Sequence, residues 1–242
     1  EIRWCQGYSE PGAGSDLAAL QTRCEDMGDH FLVNGQKVWT SGAQYADWCF
    51  CLVRTDFTTK HEGISFILFD MRTPGVEVRP IKLISGNSPF CETFLTDVKV
   101  PKENLVGPLN GGWNLAKYLL QHERKAMSKF GEFSLPSHVD LLGLMREYVP
   151  AAHTQSEHAL HARATACAMN EQAYNLTVQR MGEEARAGED VSGLMSIMKL
   201  VHTEQERDKF EVLLDAMGGT AFGWHSEAFS EQQLAVTRSW LN

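Results

Sequence analysis

No stretch of this 242-residue chain approaches the roughly 20 consecutive apolar residues that a bilayer-spanning helix needs. No segment reads as a secretory signal. Positive charge is scarce: 22 lysines and arginines stand against 31 aspartates and glutamates, a formal net charge of −9. That balance argues against non-specific binding to nucleic acid or to an anionic membrane surface. The deficit is spread evenly, with 10 basic against 14 acidic groups over residues 1–108 and 12 against 17 over 109–242, so neither part is a charged tail. The six cysteines (Cys5, Cys24, Cys49, Cys51, Cys91 and Cys167) show no Cys-x-x-Cys spacing. The common zinc and dithiol motifs are therefore missing, and a reduced, cytoplasmic setting is expected. Cys49 and Cys51 alternate in an apolar run, share a face, and are expected to be packed rather than bridged. Proline falls only at Pro136 and Pro150 after residue 108, and no internal repeat or low-complexity tract is present.

What is present divides in two. Residues 31–40, Phe31 to Thr40, read as two strands about an Asn34-Gly35 turn. Further strands are expected at Trp48–Arg54, Ile64–Asp70, Val76–Leu83 and Cys91–Val98, separated by Gly, Pro, Asn or Asp. Near Asn110 the period changes. Asn110-Gly111-Gly112 can cap a helix running to about Phe130, and helical patterning follows over about Pro136–Tyr148, Ala151–Ala187, Val191–Met217 and from Gln232 onward. The expected fold is α+β: an antiparallel β-barrel or sandwich domain over 1–108, then a helical bundle over 109–242. The start at Glu1 and the stop at Asn242 inside a helical pattern suggest a piece of a longer protein.

Two stretches carry chemistry. Ser9-Glu10-Pro11-Gly12-Ala13-Gly14-Ser15-Asp16 combines a fixed proline angle with permissive glycines, two hydroxyls and a carboxylate. Such a loop either reverses the chain or offers N–H groups to a flat or anionic ligand. In Asn34–Ala43, a tryptophan near a strand end precedes two hydroxyls and a glycine. That arrangement suits a planar heteroaromatic ring as well as a core tryptophan beside a polar turn. His158 and His161 lie three apart on a helix, but no third metal ligand is apparent, and a solvated face is expected. The sequon at Asn175 is read as chance.

Taken together, Gln6–Asp16, Asn34–Gly42 and Val98–Gly107 resemble the acyl-CoA dehydrogenase family. The likeness is close over residues 3–130 and looser beyond. It implies the family's middle β domain and most of its C-terminal helical domain, without the N-terminal helical domain. It implies FAD between the β domain and the helices. Ser9 falls at a position that hydrogen-bonds the flavin ring, and Gln6, Gly7 and Tyr8 would contribute strand-edge contacts. Ser15 would meet both cofactor and acyl-CoA, Trp39 would pack on the isoalloxazine, and Ser41 would lie near flavin N5. Gly218-Gly219 matches a pair that approaches the ADP part of FAD, although Asp215 replaces the usual glutamine and would repel a pyrophosphate. The usual Arg-x-x-Phe segment is not evident, and the helical region looks closer to the large-subunit type of pimeloyl-CoA dehydrogenase.

The implied reaction is α,β-dehydrogenation of an acyl-CoA to a trans-2-enoyl-CoA, with electrons passed to an electron-transfer flavoprotein and the enzyme a homo- or hetero-oligomer. It needs a base held dry with a raised pKa. Ala116, Leu119, Leu120, Met127 and Phe130 share a helical face, and Glu123 projects from its middle. Some family members place their base here, immediately before an arginine, as in Glu123-Arg124, and others in a C-terminal loop. Arg124 either lies near substrate or neutralises Glu123. Two alternatives share the fold: a flavin oxidase or monooxygenase, and a non-catalytic, flavin-contacting subunit of a heteromeric dehydrogenase.

Overall fold

The computed structural model describes residues 1–129, 139–225 and 227–241, with the backbone alone over 124–129. The expected helix end at Phe130 and helix start at Pro136 lie outside the described residues. Two compact units are present, Glu1–His122 and Glu123–Asn242.

The first unit is built on β1 (Trp4–Gly7), β2 (Arg23–Asp26), β3 (His30–Ser41), β4 (Trp48–Arg54), β5 (Ile64–Asp70), β6 (Val76–Ile81) and β7 (Phe90–Pro101). They form one seven-stranded sheet in the order β1-β4-β2-β3-β7-β6, with β5 paired to the remaining side of β4. Successive side chains of a strand point to opposite faces, and in β4 and β5 both sets are apolar. Cys51 and Val53 enter one apolar cluster with Ile67 and Phe69, while Leu52 enters a second with Ile64 and Phe66. Both faces of these strands are therefore covered, and each fully buried Val, Leu, Ile or Phe contributes roughly 1.5–3 kcal/mol. Cys49 and Cys51 are buried, and all six cysteines are free thiols, as the shared-face reading requires. Burial pushes the Cys24 thiol up to about 12, an effect to which Cys51 adds.

Two sequence expectations are corrected. The sheet is mixed rather than antiparallel: β1 runs parallel to β4, with Cys5 opposite Cys49 and Gly7 opposite Cys51, and β2 meets β4 in a parallel pair at Arg23 and Arg54. Alternation reports which face a residue takes and carries no sign of strand direction. The Asn34-Gly35 hairpin is also absent, because β3 runs unbroken through it as a bulge against β7. Asn34 and Asp97 bond reciprocally across that bulge: Nδ2 donates to Oδ1 at 3.0 Å, and the Asp97 N–H donates to the Asn34 Oδ1 at 2.8 Å. Gly35 lies so close to the residue before β2 that a Cβ would sit 2.7 Å from the Thr22 Cα. The reversal occurs earlier, between β2 and β3, at Gly28 with φ +93°.

After β7 comes α1 (Gly112–Lys129), and its first turn abuts β5. A Cβ on Gly112 would meet the Ser65 carbonyl carbon at 2.5 Å and the Phe66 nitrogen at 2.7 Å. The Asn110 N–H donates to the Ser65 hydroxyl at 2.8 Å, and Ala116, Leu119 and Leu120 join the second apolar cluster.

The second unit holds α2 (Leu141–Tyr148), α3 (Gln155–Arg186), α4 (Ser192–Met217) and α5 (Glu231–Trp240). Its core combines Leu141, Leu144 and Met145 with Ala164, Phe210, Leu213, Met217 and Val236. Capping boxes start α3 at Thr154 with Glu157 and α5 at Ser230 with Gln233.

The close approach at Gly112 gives a contrast between two glycines. Gly112→Ala is expected to lower stability by about 1–3 kcal/mol through overpacking against fixed backbone. Gly182→Ala, inside α3 with only the end of Arg186 at 3.6 Å, is expected to raise it by about 0.5–1 kcal/mol. Urea unfolding of the two variants beside the parent checks both signs.

Candidate functional site

The Ser9–Asp16 loop is a tight reversal. The Glu10 N–H donates to the Ala13 carbonyl at 2.9 Å, and the Ala13 N–H returns to the Glu10 carbonyl at 3.0 Å. Ala13 is buried, while Pro11, Gly12, Gly14, Ser15 and Asp16 are exposed. Glu10 points inward and is only 8% exposed. Its Oε1 lies 2.8 Å from the ammonium of Lys37, which is 1% exposed. The two carboxylate oxygens also accept the N–H groups of Gln21 at 2.6 Å and Thr22 at 2.9 Å. Lys37 donates again to the Tyr8 carbonyl at 3.1 Å, and the Val38 N–H donates to the Ser9 carbonyl at 2.9 Å. Burial alone would push Glu10 up, but Lys37 and the hydrogen bonds outweigh it and hold the carboxyl below its ordinary value.

This pair welds the loop to β3, and the next residues of β3 turn outward. The β3–β7 register shifts between Lys37 and Thr40. Within that bulge Trp39 adopts φ +61°, the left-handed region, which costs a non-glycine residue about 1–2 kcal/mol. The indole is 55% exposed, with its edge supported by Phe90 at a centroid distance of 5.8 Å and 83°. Thr40 points back into the interior, where it accepts a hydrogen bond from the Thr93 hydroxyl at 3.3 Å. Ser41 is exposed at the strand end, and Gly42 follows at φ +64° with its N–H on the Pro89 carbonyl at 2.9 Å. The first unit thus presents a strained, open tryptophan, a hydroxyl two residues on, and the exposed loop with Ser15. Ser9 is half-buried at the base of that loop.

The other expected residues are placed as follows. Gly7 is buried, and a Cβ there would meet Cys51 Sγ at 2.9 Å and Cys49 Sγ at 3.1 Å, so its lack of a side chain serves packing against β4. The Tyr8 ring is buried edge-on against Phe50 and Phe66, and its carbonyl accepts from Lys37. Gln6 is half-buried on β1, whose outer edge pairs with no other strand among the described residues. Glu123 lies on α1 and is exposed rather than set in a dry apolar face. The Arg124 side chain lies outside the described residues. Gly218 ends α4 at φ +53°, a conformation that calls for glycine, and a Cβ on Gly218 or Gly219 would meet nothing within 4 Å. Asp215 is already paired with Arg163 on the surface. His161 binds the Val149 carbonyl at 2.9 Å and His158 is exposed. No described helix is long and apolar enough to cross a membrane.

Glu10 and Lys37 each lie inside one of the two chemistry-bearing stretches but are not among the site residues expected from the sequence. The available signal was a lysine at an inward phase of β3, which requires a buried anion.

Residues 5–98 match the family described as acyl-CoA dehydrogenase, middle domain. The acyl-CoA dehydrogenase FadE34 of Mycobacterium tuberculosis is 40% identical over 222 residues, which are 90% of this chain and 30% of that protein. Among solved structures, the Tcur3481-Tcur3483 steroid ACAD superposes with a TM-score of 0.84 at 28% identity, covering 99% of this chain and 62% of that one. The ChsE4-ChsE5 complex from Mycobacterium tuberculosis gives 0.75 at 29% identity, covering 99% and 63%. The chain therefore spans less than two thirds of the length of each of these.

Removing one member of a buried pair strands the other charge. Glu10→Gln is expected to cost about 3–5 kcal/mol in urea or thermal unfolding. Because the folded carboxyl titrates below its unfolded value, the stabilisation from Glu10 is fully present above the unfolded pKa. It is lost as pH falls through the lower folded value. Unfolding free energies measured from neutral to acid pH are expected to fall less steeply in Glu10→Gln than in the parent.

Proposed function

The chain belongs to the acyl-CoA dehydrogenase family, and from that premise we propose that it serves the FAD-dependent dehydrogenation of an acyl-CoA thioester to a trans-2-enoyl-CoA. The observation that carries this reading is Trp39: a large indole held open in a left-handed backbone conformation, beside Ser41 and tied through Lys37 and Glu10 to the Ser9–Asp16 loop. Such strain persists only where the surrounding structure over-determines it, and it clusters at ligand sites.

The residues present fit a flavin. Trp39 offers a flat apolar face, and Ser9 and Ser41 offer hydroxyl donors for a ring's polar edge. The glycines at 12 and 14 leave open space above the loop, since a Cβ there would meet nothing within 4 Å. When bound, FAD would supply the hydride acceptor. The chain's own part is to orient and to hold a proton. Ser15 would fix the cofactor and the acyl-CoA at the loop, the backbone edge of Gln6–Tyr8 would line the ring, and Glu123 would take the α-proton onto its carboxylate. An exposed carboxylate is a weak base at an α-carbon, so bound substrate must exclude water from Glu123 for this role. Gly218 and Gly219 remain candidates for the ADP end of the cofactor, and an electron-transfer flavoprotein is the proposed acceptor.

A second reading is favoured by the exposure of Glu123 and by the similarity to the Tcur3481-Tcur3483 and ChsE4-ChsE5 structures, each of which pairs two different chains. In it the chain contacts flavin within a hetero-oligomer and its partner supplies the base.

Full-length protein is expected to carry flavin absorbance that bleaches anaerobically on adding one of a panel of straight-chain, branched or steroid-derived acyl-CoAs. Protein without flavin, which also fails to bleach added FAD, would refute the reading. Glu123→Gln is expected to slow bleaching by about 10²–10⁴-fold with FAD retained. Unchanged bleaching would place the base elsewhere, in a C-terminal loop or, as the second reading has it, on a partner chain. Peroxide formed in air without an added carrier would instead indicate an oxidase.

A further inference from the structure

Arg54 ends β4 and is 3% exposed, yet among the described residues the four hydrogen bonds of its guanidinium all end on backbone carbonyls. Nη2 donates to Ala18 at 2.6 Å and Nε to Leu20 at 3.1 Å. Nη1 donates to Thr59 at 3.0 Å and to Lys60 at 2.8 Å. The first two acceptors follow Ser15 in the chain, and the other two lie in the connection between β4 and β5. That connection returns to the loop, because the Lys60 ammonium meets the Asp16 carboxylate at 2.9 Å. The Ala19 N–H donates to the Asp16 carbonyl at 3.0 Å. The contacts therefore close a ring from Asp16 through Ala18 and Ala19 to Arg54, on to Lys60, and back to Asp16. Beyond it, Glu10 takes the amides of Gln21 and Thr22. One buried cation holds carbonyls and one buried anion holds amides of the same short segment. Ser15, although exposed, is thus anchored on its C-terminal side by charge-assisted bonds.

We propose that Arg54 is a positioning residue that sets the place of Ser15, and that it acts on the reaction through acyl-CoA binding rather than through proton or hydride transfer. The proposal rests on Ser15 being a contact of cofactor and acyl-CoA. A guanidinium suits the task because its rigid fork serves several acceptors at once, whereas an ammonium at the same place cannot span both segments.

The test uses full-length protein and Arg54→Lys. Backbone amide exchange over residues 14–19 is expected to accelerate by about tenfold or more while β5 is unchanged. In the flavin-loaded enzyme, KM for acyl-CoA is expected to rise by about tenfold with kcat altered by less than about threefold. Unchanged exchange over 14–19, or a fall in kcat at constant KM, overturns the proposal. Lys60→Met opens the ring at its exposed step and spares the core. It is expected to move exchange and KM in the same direction by about two- to fivefold, the range of a surface ion pair. If Arg54→Lys fails to fold, no change in Lys60→Met overturns the proposal. The exchange measurement needs no flavin, so a wild-type protein that neither binds flavin nor oxidises acyl-CoA would end the functional reading, while faster exchange would still support Arg54 as the hold on Ser15.

Discussion

The contact between Lys37 and Glu10 is the constraint from which the site follows. Neither charge is stable alone in the interior, since an unpaired buried ion costs several kcal/mol. The two must therefore meet, and the loop and β3 have no freedom to separate. Glu10 is further satisfied by two backbone amides, and Lys37 by the Tyr8 carbonyl, so the attraction and the hydrogen bonds outweigh the cost of burial. A neutral contact at the same place would hold the same segments with less directional force.

Trp39 depends on that anchorage. A left-handed tryptophan in a strand is locally unfavourable, and a free strand end would relax it by twisting back into register. Lys37 is fixed two residues before it, and Thr40 and the Gly42 N–H are fixed after it. The bulge thus has nowhere to dissipate, and the indole stays in solvent on its Phe90 support. Packing elsewhere in the same unit is compatible with this because β4 and β5 are buried on both faces and give the loop a rigid floor.

Several residues that looked alike in the sequence separate by what lies beneath them. Gly7 and Gly12 fall within one motif. Gly7 is small because two cysteine sulfurs sit against it, and Gly12 faces open space. Tyr8 and Trp39 are both aromatic residues beside hydroxyls, yet Tyr8 is edge-on in an apolar cluster and Trp39 is exposed. Glu10 and Glu123 are both carboxylates near candidate ligand positions. Glu10 is buried and paired, whereas Glu123 stands in solvent.

Local patterning in the sequence was enough to determine the strand positions from β4 to β7, the change to helix after Asn110, the packed free thiols, and the three stretches that carry the family likeness. All of these follow from short-range periodicity, turn chemistry or residue type. The strand directions, the bulge in place of a hairpin at Gly35, and the fate of each polar residue in the motifs were decided only in three dimensions. The reason is physical. Alternation has no sign of direction, and Asn34-Gly35 turns or bulges according to whether Asp97 and Thr22 are opposite it. The state of Glu10, Lys37 and Arg54 depends on a pairing across 27 positions and on backbone amides and carbonyls that offer no side-chain signal.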